Sequence, residues 1–196
     1  MHLHIADLLV HPKVVETRDH IHHRIPKHDH LMRSVKYSSR FAQLLRADER
    51  VCLRAAIIHD IDSRLGTLTT HGAVAARWAA GQGEPEDVCA AIISHMYPLG
   101  PAPTTREGWV LVLADKAASL GDLKQYLRGL VDGTSQATHR RLKLSDPYYV
   151  DPRQRRRRGA LRRRLLSHPL LRRRQILGQR FLAHPLLRRR SGGGLD

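Results

Sequence analysis

The groups in this chain best suited to chemistry are imidazoles and carboxylates set beside apolar segments. With 14 His and 13 Asp in 196 residues, about one adjacent His-Asp pair is expected from composition alone. Two occur, His28-Asp29 and His59-Asp60, and their surroundings separate them. His59-Asp60 closes the apolar run ERVCLRAAIIHD, where an unpaired buried charge is costly. Neutral imidazole and carboxylate together suit a divalent metal there. His28-Asp29 lies in the polar stretch HHRIPKHD, where water can hydrate both groups, and Asp29 reads as a cap for a helix beginning near Leu31.

Four more groups stand at helical positions from which a shared interior can be reached. His30 precedes an amphipathic run with Ser34, Tyr37 and Phe41 on its own side, and His71 opens an Ala-rich run. His95 follows Val88, Ala91 and Ile92 at i, i+3, i+4 and i+7, and Asp115 interrupts the apolar WVLVLADKAASL. Taken singly, a histidine on an apolar face is most often a satisfied core residue, and Asp115 reads as a buried acid paired with Lys116 or with a helix end. Together they are harder to dismiss as core residues. His20, His22, His23 and His28 crowd the first of these segments, and His30 fits the helix phase best.

The elements that must carry these groups read as helices. Leu31, Val35, Phe41, Ala42 and Leu45 follow helical spacing, with Arg33, Lys36, Arg40 and Arg46 largely between them. Asp48 precedes a second run dense enough in apolar residues to be mostly buried. HGAVAARWAAG forms a short helix closed by Gly81, and Pro85-Glu86-Asp87 starts another. PLGPAPTT is a loop, and REGWVLVLADKAASLGDLKQYLRGLV is one long helix, or two broken near Gly121. No segment alternates strictly, so the expected fold class is all-α.

The order His30, His59-Asp60, His71, His95, Asp115 resembles the metal-binding pattern of the HD-domain phosphohydrolase superfamily. LLVHPKV, DHLMRSVKYSSRFA, AAIIHDID, ISHMYPLGPAP and EGWVLVLADKAASL further resemble segments of a group of small bacterial HD-domain proteins, over roughly residues 5 to 122. The resemblance implies an HD-domain helical bundle in which His30, His59, Asp60 and Asp115 hold one divalent ion. It implies that His71 and His95 hold a second, with Asp60 bridging and acting as the catalytic carboxylate. One or two ions are expected, with Mn, Fe, Mg, Zn and Co not distinguished by the sequence. The implied activity is hydrolysis of a small phosphorylated substrate, a phosphomonoester or a nucleotide-like compound, by metal-activated water. Lys116, Arg33 and Arg64 are the candidate phosphate contacts.

Charge divides the chain. The formal net charge is +16, yet residues 1–138 hold 16 basic and 15 acidic side chains, whereas 139–196 hold 18 and 3. The expected organisation is an HD-type domain over 1–138 and a basic, Arg-rich C-terminal extension over 139–196. The extension contains HPLLRRR twice and reads as short basic helices or a disordered arm. Such an arm attracts polyanions, and non-specific nucleic acid or an anionic membrane surface is its expected partner. The alternative function is therefore a non-catalytic HD-fold domain that binds nucleic acid or another polyanion through this tail. Cys52 and Cys89 are the only cysteines, too few for a disulfide framework and suited to a reducing, cytoplasmic location. The longest uncharged run, residues 88–105, contains prolines and His95 and cannot serve as a membrane helix.

Overall fold

The computed structural model describes residues 2–22 and 24–149. The expectations drawn for the Arg-rich repeat from residue 150 onward lie outside the described residues. Among those described, the elements in chain order are a 3₁₀ turn His2–Ile5, short helices α1 (Ala6–Leu9) and α2 (Pro12–Val15), a 3₁₀ turn Glu16–Asp19, and a two-stranded hairpin of β1 (Ile21–His22) and β2 (Ile25–Pro26). The larger helices follow: α3 (Lys27–Leu45), α4 (Glu49–Ile58), then after a 3₁₀ turn Ser63–Leu65, α5 (His71–Gly81), α6 (Glu86–Ser94), α7 (Arg106–Val131) and α8 (Thr134–Ser145). The fold class is all-α, as expected. The hairpin is antiparallel, with Ile21 opposite Pro26 and His22 opposite Ile25, and is too short to leave an alternating pattern.

Local signals set the main boundaries. Asp48 caps α4 by accepting from the Val51 amide at 3.2 Å, and Thr105 caps α7 by accepting from Gly108 at 3.0 Å. Helix α3 begins at Lys27, four residues before Leu31, because Pro26 ends the hairpin and supplies its N-cap without a side-chain bond. Asp29 therefore sits in the first turn, where its charge favours the helix dipole, and its carboxylate accepts from Gln125 Nε2 at 3.1 Å. It is not the cap. At the other end Arg46 turns left-handed, with φ 52°.

Helix α4 is the centre of the bundle. Val51 to Leu53 and Ala55 to Ile58 are all buried, and together with Leu31 and Val35 from α3, Ala75 and Ala79 from α5, Ile92 from α6 and Leu111 from α7 they form one core. The one charge on this part of α4, Arg54, is tied to Glu84 at 2.5 Å and to Asp7 at 2.8 Å, which pins the N-terminal turns against the bundle. The most extensive helix pairing is α3 on α7.

The structure settles one reading that the sequence left open and moves one boundary. Helix α7 runs unbroken through Gly121. The missing side chain there leaves room for Arg33, which crosses the helix at this point: a Cβ would meet its Cδ. At the far end, α8 spans the proposed division at residue 138 and belongs to the unit that runs to Tyr149. Leu142 of α8 is fully buried. Asp146, just beyond it, accepts from the Ile21 amide at 2.9 Å and from Arg64 at 2.7 Å. No helix among the described residues is long and apolar enough to cross a membrane.

Candidate metal centre

Four helices and one turn deliver the candidate ligands to a common interior. His30 lies in the first turns of α3. His59 and Asp60 occupy the turn that ends α4, His71 opens α5, His95 caps the end of α6, and Asp115 faces inward from α7. His30, His59 and His95 are no more than 1% exposed. The structure gathers all six residues singled out from the sequence. Ligand atoms of His30, His59 and Asp115 lie within 4.8 Å of one another, as do those of His59, Asp60 and His95. His71 joins through its Nε2, 3.3 Å from Asp60 Oδ1 and 3.0 Å from His95 Nε2. That approach depends on Gly72, since a Cβ there would stand 3.2 Å from the His95 ring.

The hydrogen bonds on the far side of each ring decide what these imidazoles present. Nδ1 of His59 donates to the Ala56 carbonyl at 2.9 Å, that of His71 to Thr67 at 2.9 Å, and that of His95 to Ile92 at 2.7 Å. A carbonyl oxygen only accepts, so each Nδ1 carries the hydrogen and each neutral ring turns an Nε2 lone pair inward. Two such lone pairs face each other at 3.0 Å between His71 and His95, and the Nε2 atoms of His30 and His59 stand 3.4 Å apart. Neutral rings so arranged repel. A cation between them removes the repulsion, and imidazoles held by carbonyls or carboxylates at their outer nitrogens are the usual dress of metal ligands. The donor set of nitrogen and carboxylate oxygen fits a divalent ion.

Ionisation agrees with this reading. Burial opposes a charge on Asp115, but the His30 and His59 rings beside it, whose Nε2 atoms donate to the carboxylate whenever they carry a proton in place of a cation, outweigh it and hold the carboxyl far below the ordinary range. Burial likewise works against Asp60, and the nearby His59, Lys27 and His22 hold it ionised. Burial pushes His95 down to about 4, with His59 adding to the effect, so its ring is neutral at ordinary pH.

Three residues at the centre were not among the ligands singled out. Asp122, 1% exposed, accepts from His30 Nδ1 at 2.6 Å and pairs with Arg33. It orients the His30 ring as the backbone carbonyls orient the others. It lies seven residues after Asp115, two turns along the same inner face of α7, and that spacing was the available signal. His22 comes from the hairpin, with Nδ1 3.3 Å from Asp60 Oδ2 and its ring centroid 4.4 Å from that of His30. Lys27 is 3% exposed and donates to the Asp60 carbonyl at 3.0 Å and to Ser63 Oγ at 2.7 Å. Burial lowers its amine from the usual lysine range, against the attraction of Asp60.

The centre opens into a cavity of about 420 Å³ lined by His22, Asp60, Ser63, Gly66, Thr67, Leu68, His71, His95, Met96, Asp115 and Ser119. The candidate phosphate contacts lie elsewhere. Arg33 is folded back onto Asp122 and Gln125. Arg64 pairs with Asp146 and stacks 4.5 Å over Tyr148, where it lines a separate, smaller cavity with Lys13 and His20. Lys116 is exposed. None of the three lines the cavity over the histidines.

An all-α bundle whose interior gathers imidazoles and carboxylates from successive helices has side-chain groups that could hold a metal ion. The family model of the HD domain matches residues 28–120, and this match supports membership of that segment in the HD-domain superfamily. The match contains all six residues singled out from the sequence; Asp122, His22 and Lys27 lie beyond its ends. Comparison with curated proteins and with solved structures returned no significant match. The HD fold is of the metal-dependent phosphohydrolase type, and the His/Asp groups here are compatible with metal binding.

Proposed function

We propose that the protein is a divalent-metal-dependent phosphohydrolase acting on a phosphomonoester or nucleotide-like substrate. The observation that carries this reading is the set of inward Nε2 atoms, on rings held by acceptors at their outer nitrogens and facing one another at 3.0 and 3.4 Å. His30, His59, Asp60 and Asp115 would hold one ion, and His71 and His95, together with Asp60, would hold a second. When bound, the metal supplies Lewis acidity to a phosphoryl oxygen and lowers the pKa of a water.

The chain's own residues do the rest. Asp60, kept ionised by its neighbours, orients the attacking water at a carboxylate oxygen. Asp122 and the Ala56, Thr67 and Ile92 carbonyls fix the rings, so no reorganisation is needed when charge develops. Ser63, Thr67 and Ser119 offer hydroxyl groups to the phosphoryl oxygens, and Leu68 and Met96 form an apolar wall for the remainder of the substrate. His22 lines the same cavity and can hand a proton to the leaving oxygen.

Elemental analysis of the purified protein tests this directly, combined with a panel of phosphate esters. One or two transition-metal ions per chain are expected. Asp60→Ala is expected to lose metal and to slow hydrolysis by more than about 100-fold, since even a residue supporting a ligand costs roughly 10- to 100-fold. A protein with no tightly bound metal, and no hydrolysis after Mn or Fe is supplied, would refute the proposal.

A further inference from the structure

Helix α7 has two apolar faces, and only one of them has a partner among the described elements. Leu111, Ala114, Ala118, Asp122 and Gly129 point into the bundle and are buried. On the opposite side lie Trp109, Leu113, Lys116, Leu120, Leu123, Leu127 and Leu130, alternately four and three residues apart. An amphipathic helix packed on a single bundle needs one apolar stripe. A second stripe repeating every 3.5 residues is the signature of a helix paired with another helix along its length. The helices that pack on α7, which are α3, α4, α6 and α8, leave this side open: Leu120 is 72% exposed, Leu123 and Leu127 are each 53% exposed, and Val131 at the end is 91% exposed.

We propose that a second copy of this chain covers the seam, the two α7 helices pairing antiparallel in a homodimer. From Trp109 to Leu130 the stripe runs about 32 Å at 1.5 Å per residue. Its six large apolar side chains, Trp109, Leu113, Leu120, Leu123, Leu127 and Leu130, are each more than 40% exposed, a surface of the order of the ~800 Å² a standard interface takes from each partner. Monomers rarely leave a contiguous apolar patch of more than a few hundred Å² in water.

Lys116 decides the orientation. It is the one charged residue in the stripe, and parallel pairing would set it against its own counterpart. Antiparallel pairing with Leu120 beside Leu123 of the other copy places Leu113 against Leu130 and Lys116 against Leu127. There the lysine stem can lie along the leucine while its ammonium reaches water. The exposed position of Lys116, outside the cavity, follows from this placement.

Sedimentation of the nuclease-treated full-length protein at high salt, where contacts made through the basic tail are screened, tests the proposal. A species of twice the 22.3 kDa chain mass is expected at micromolar concentration. Leu120→Glu combined with Leu127→Glu is expected to weaken association by more than about 100-fold, because interface anchors dominate binding. Both side chains face water in the single chain, so the far-UV circular dichroism should not change. A wild-type monomer across the concentration range, or a dimer indifferent to the two glutamates, overturns the proposal. A second readout needs no disruptive charge. In a Cys89→Ser background, chains carrying Leu113→Cys and chains carrying Leu130→Cys are expected to form a disulfide-linked pair on oxidation only when mixed. Links within either preparation alone, or none in the mixture, overturn the antiparallel arrangement.

Discussion

At the scale of single residues, the centre depends as much on what stands behind each imidazole as on the imidazole itself. Three of the rings are fixed by backbone carbonyls, which no side-chain substitution removes. His30 is fixed by the Asp122 carboxylate at 2.6 Å, so this is the one ring whose orientation a point mutation can release. Asp122→Asn keeps the shape but not the charge. It is expected to lower metal affinity by roughly 10- to 100-fold while helix content is retained, as read by chelator competition and circular dichroism. Unchanged affinity would mean that Asp122 serves only to neutralise Arg33. The arginine itself is committed to this carboxylate and to Gln125. That commitment is why a basic residue three positions after a candidate ligand, a natural phosphate contact by spacing, does not reach the cavity.

At the scale of elements, α8 and the hairpin form a small assembly that holds His22 over Asp60. Asp146 accepts from the Ile21 and Tyr148 amides and from Arg64. Burial disfavours its charge, and these donors more than offset that, so its carboxyl lies below the ordinary range. The unfolded chain therefore takes up the proton first as pH falls. The stabilisation is complete above the ordinary carboxylate pKa and is lost as pH drops through the depressed value. Asp146→Ala is expected to destabilise the fold by about 2 kcal/mol, the worth of hydrogen bonds to a charged group. A chain ending at Thr138 loses that contribution and the buried Leu142 as well, about 2 kcal/mol more. Urea denaturation of chains ending at Thr138 and at Tyr149 checks this: the shorter should unfold at clearly lower urea, and equal midpoints would show that α8 does not brace the hairpin.

For the whole molecule, the charge asymmetry separates two properties that a single net charge confuses. Residues 1–138 are close to neutral, and the excess of +15 lies in 139–196. Attraction to polyanions should therefore be a property of the extension, and hydrolysis a property of the body. Retention of the full chain on DNA, RNA or anionic vesicles is expected to fall steeply with salt, through counterion release, and to disappear when the chain ends at Tyr149. Metal content should be unaffected by that truncation. Retention that survives it would move the polyanion surface onto the body.

The candidate ligands and the helical class were legible in the sequence because both depend on local rules. Helical periodicity places His95 and Asp115 on inner faces, and a His-Asp pair at the end of an apolar helix has few stable fates other than shared coordination. The start of α3 was misplaced by four residues, because the hairpin that sets it is too short to show a period. Asp122, His22 and Lys27 were not found, since each acquires its role from residues far along the chain: Asp122 meets His30 across 92 positions, and Lys27 reaches the Asp60 backbone across 33. The sequence by itself determined that the six candidate ligands would face a shared interior and which helices would carry them. Only the tertiary structure decided which groups orient them, which cations are already engaged, and that α8 belongs to the body, because those outcomes depend on distances between elements that no local pattern encodes.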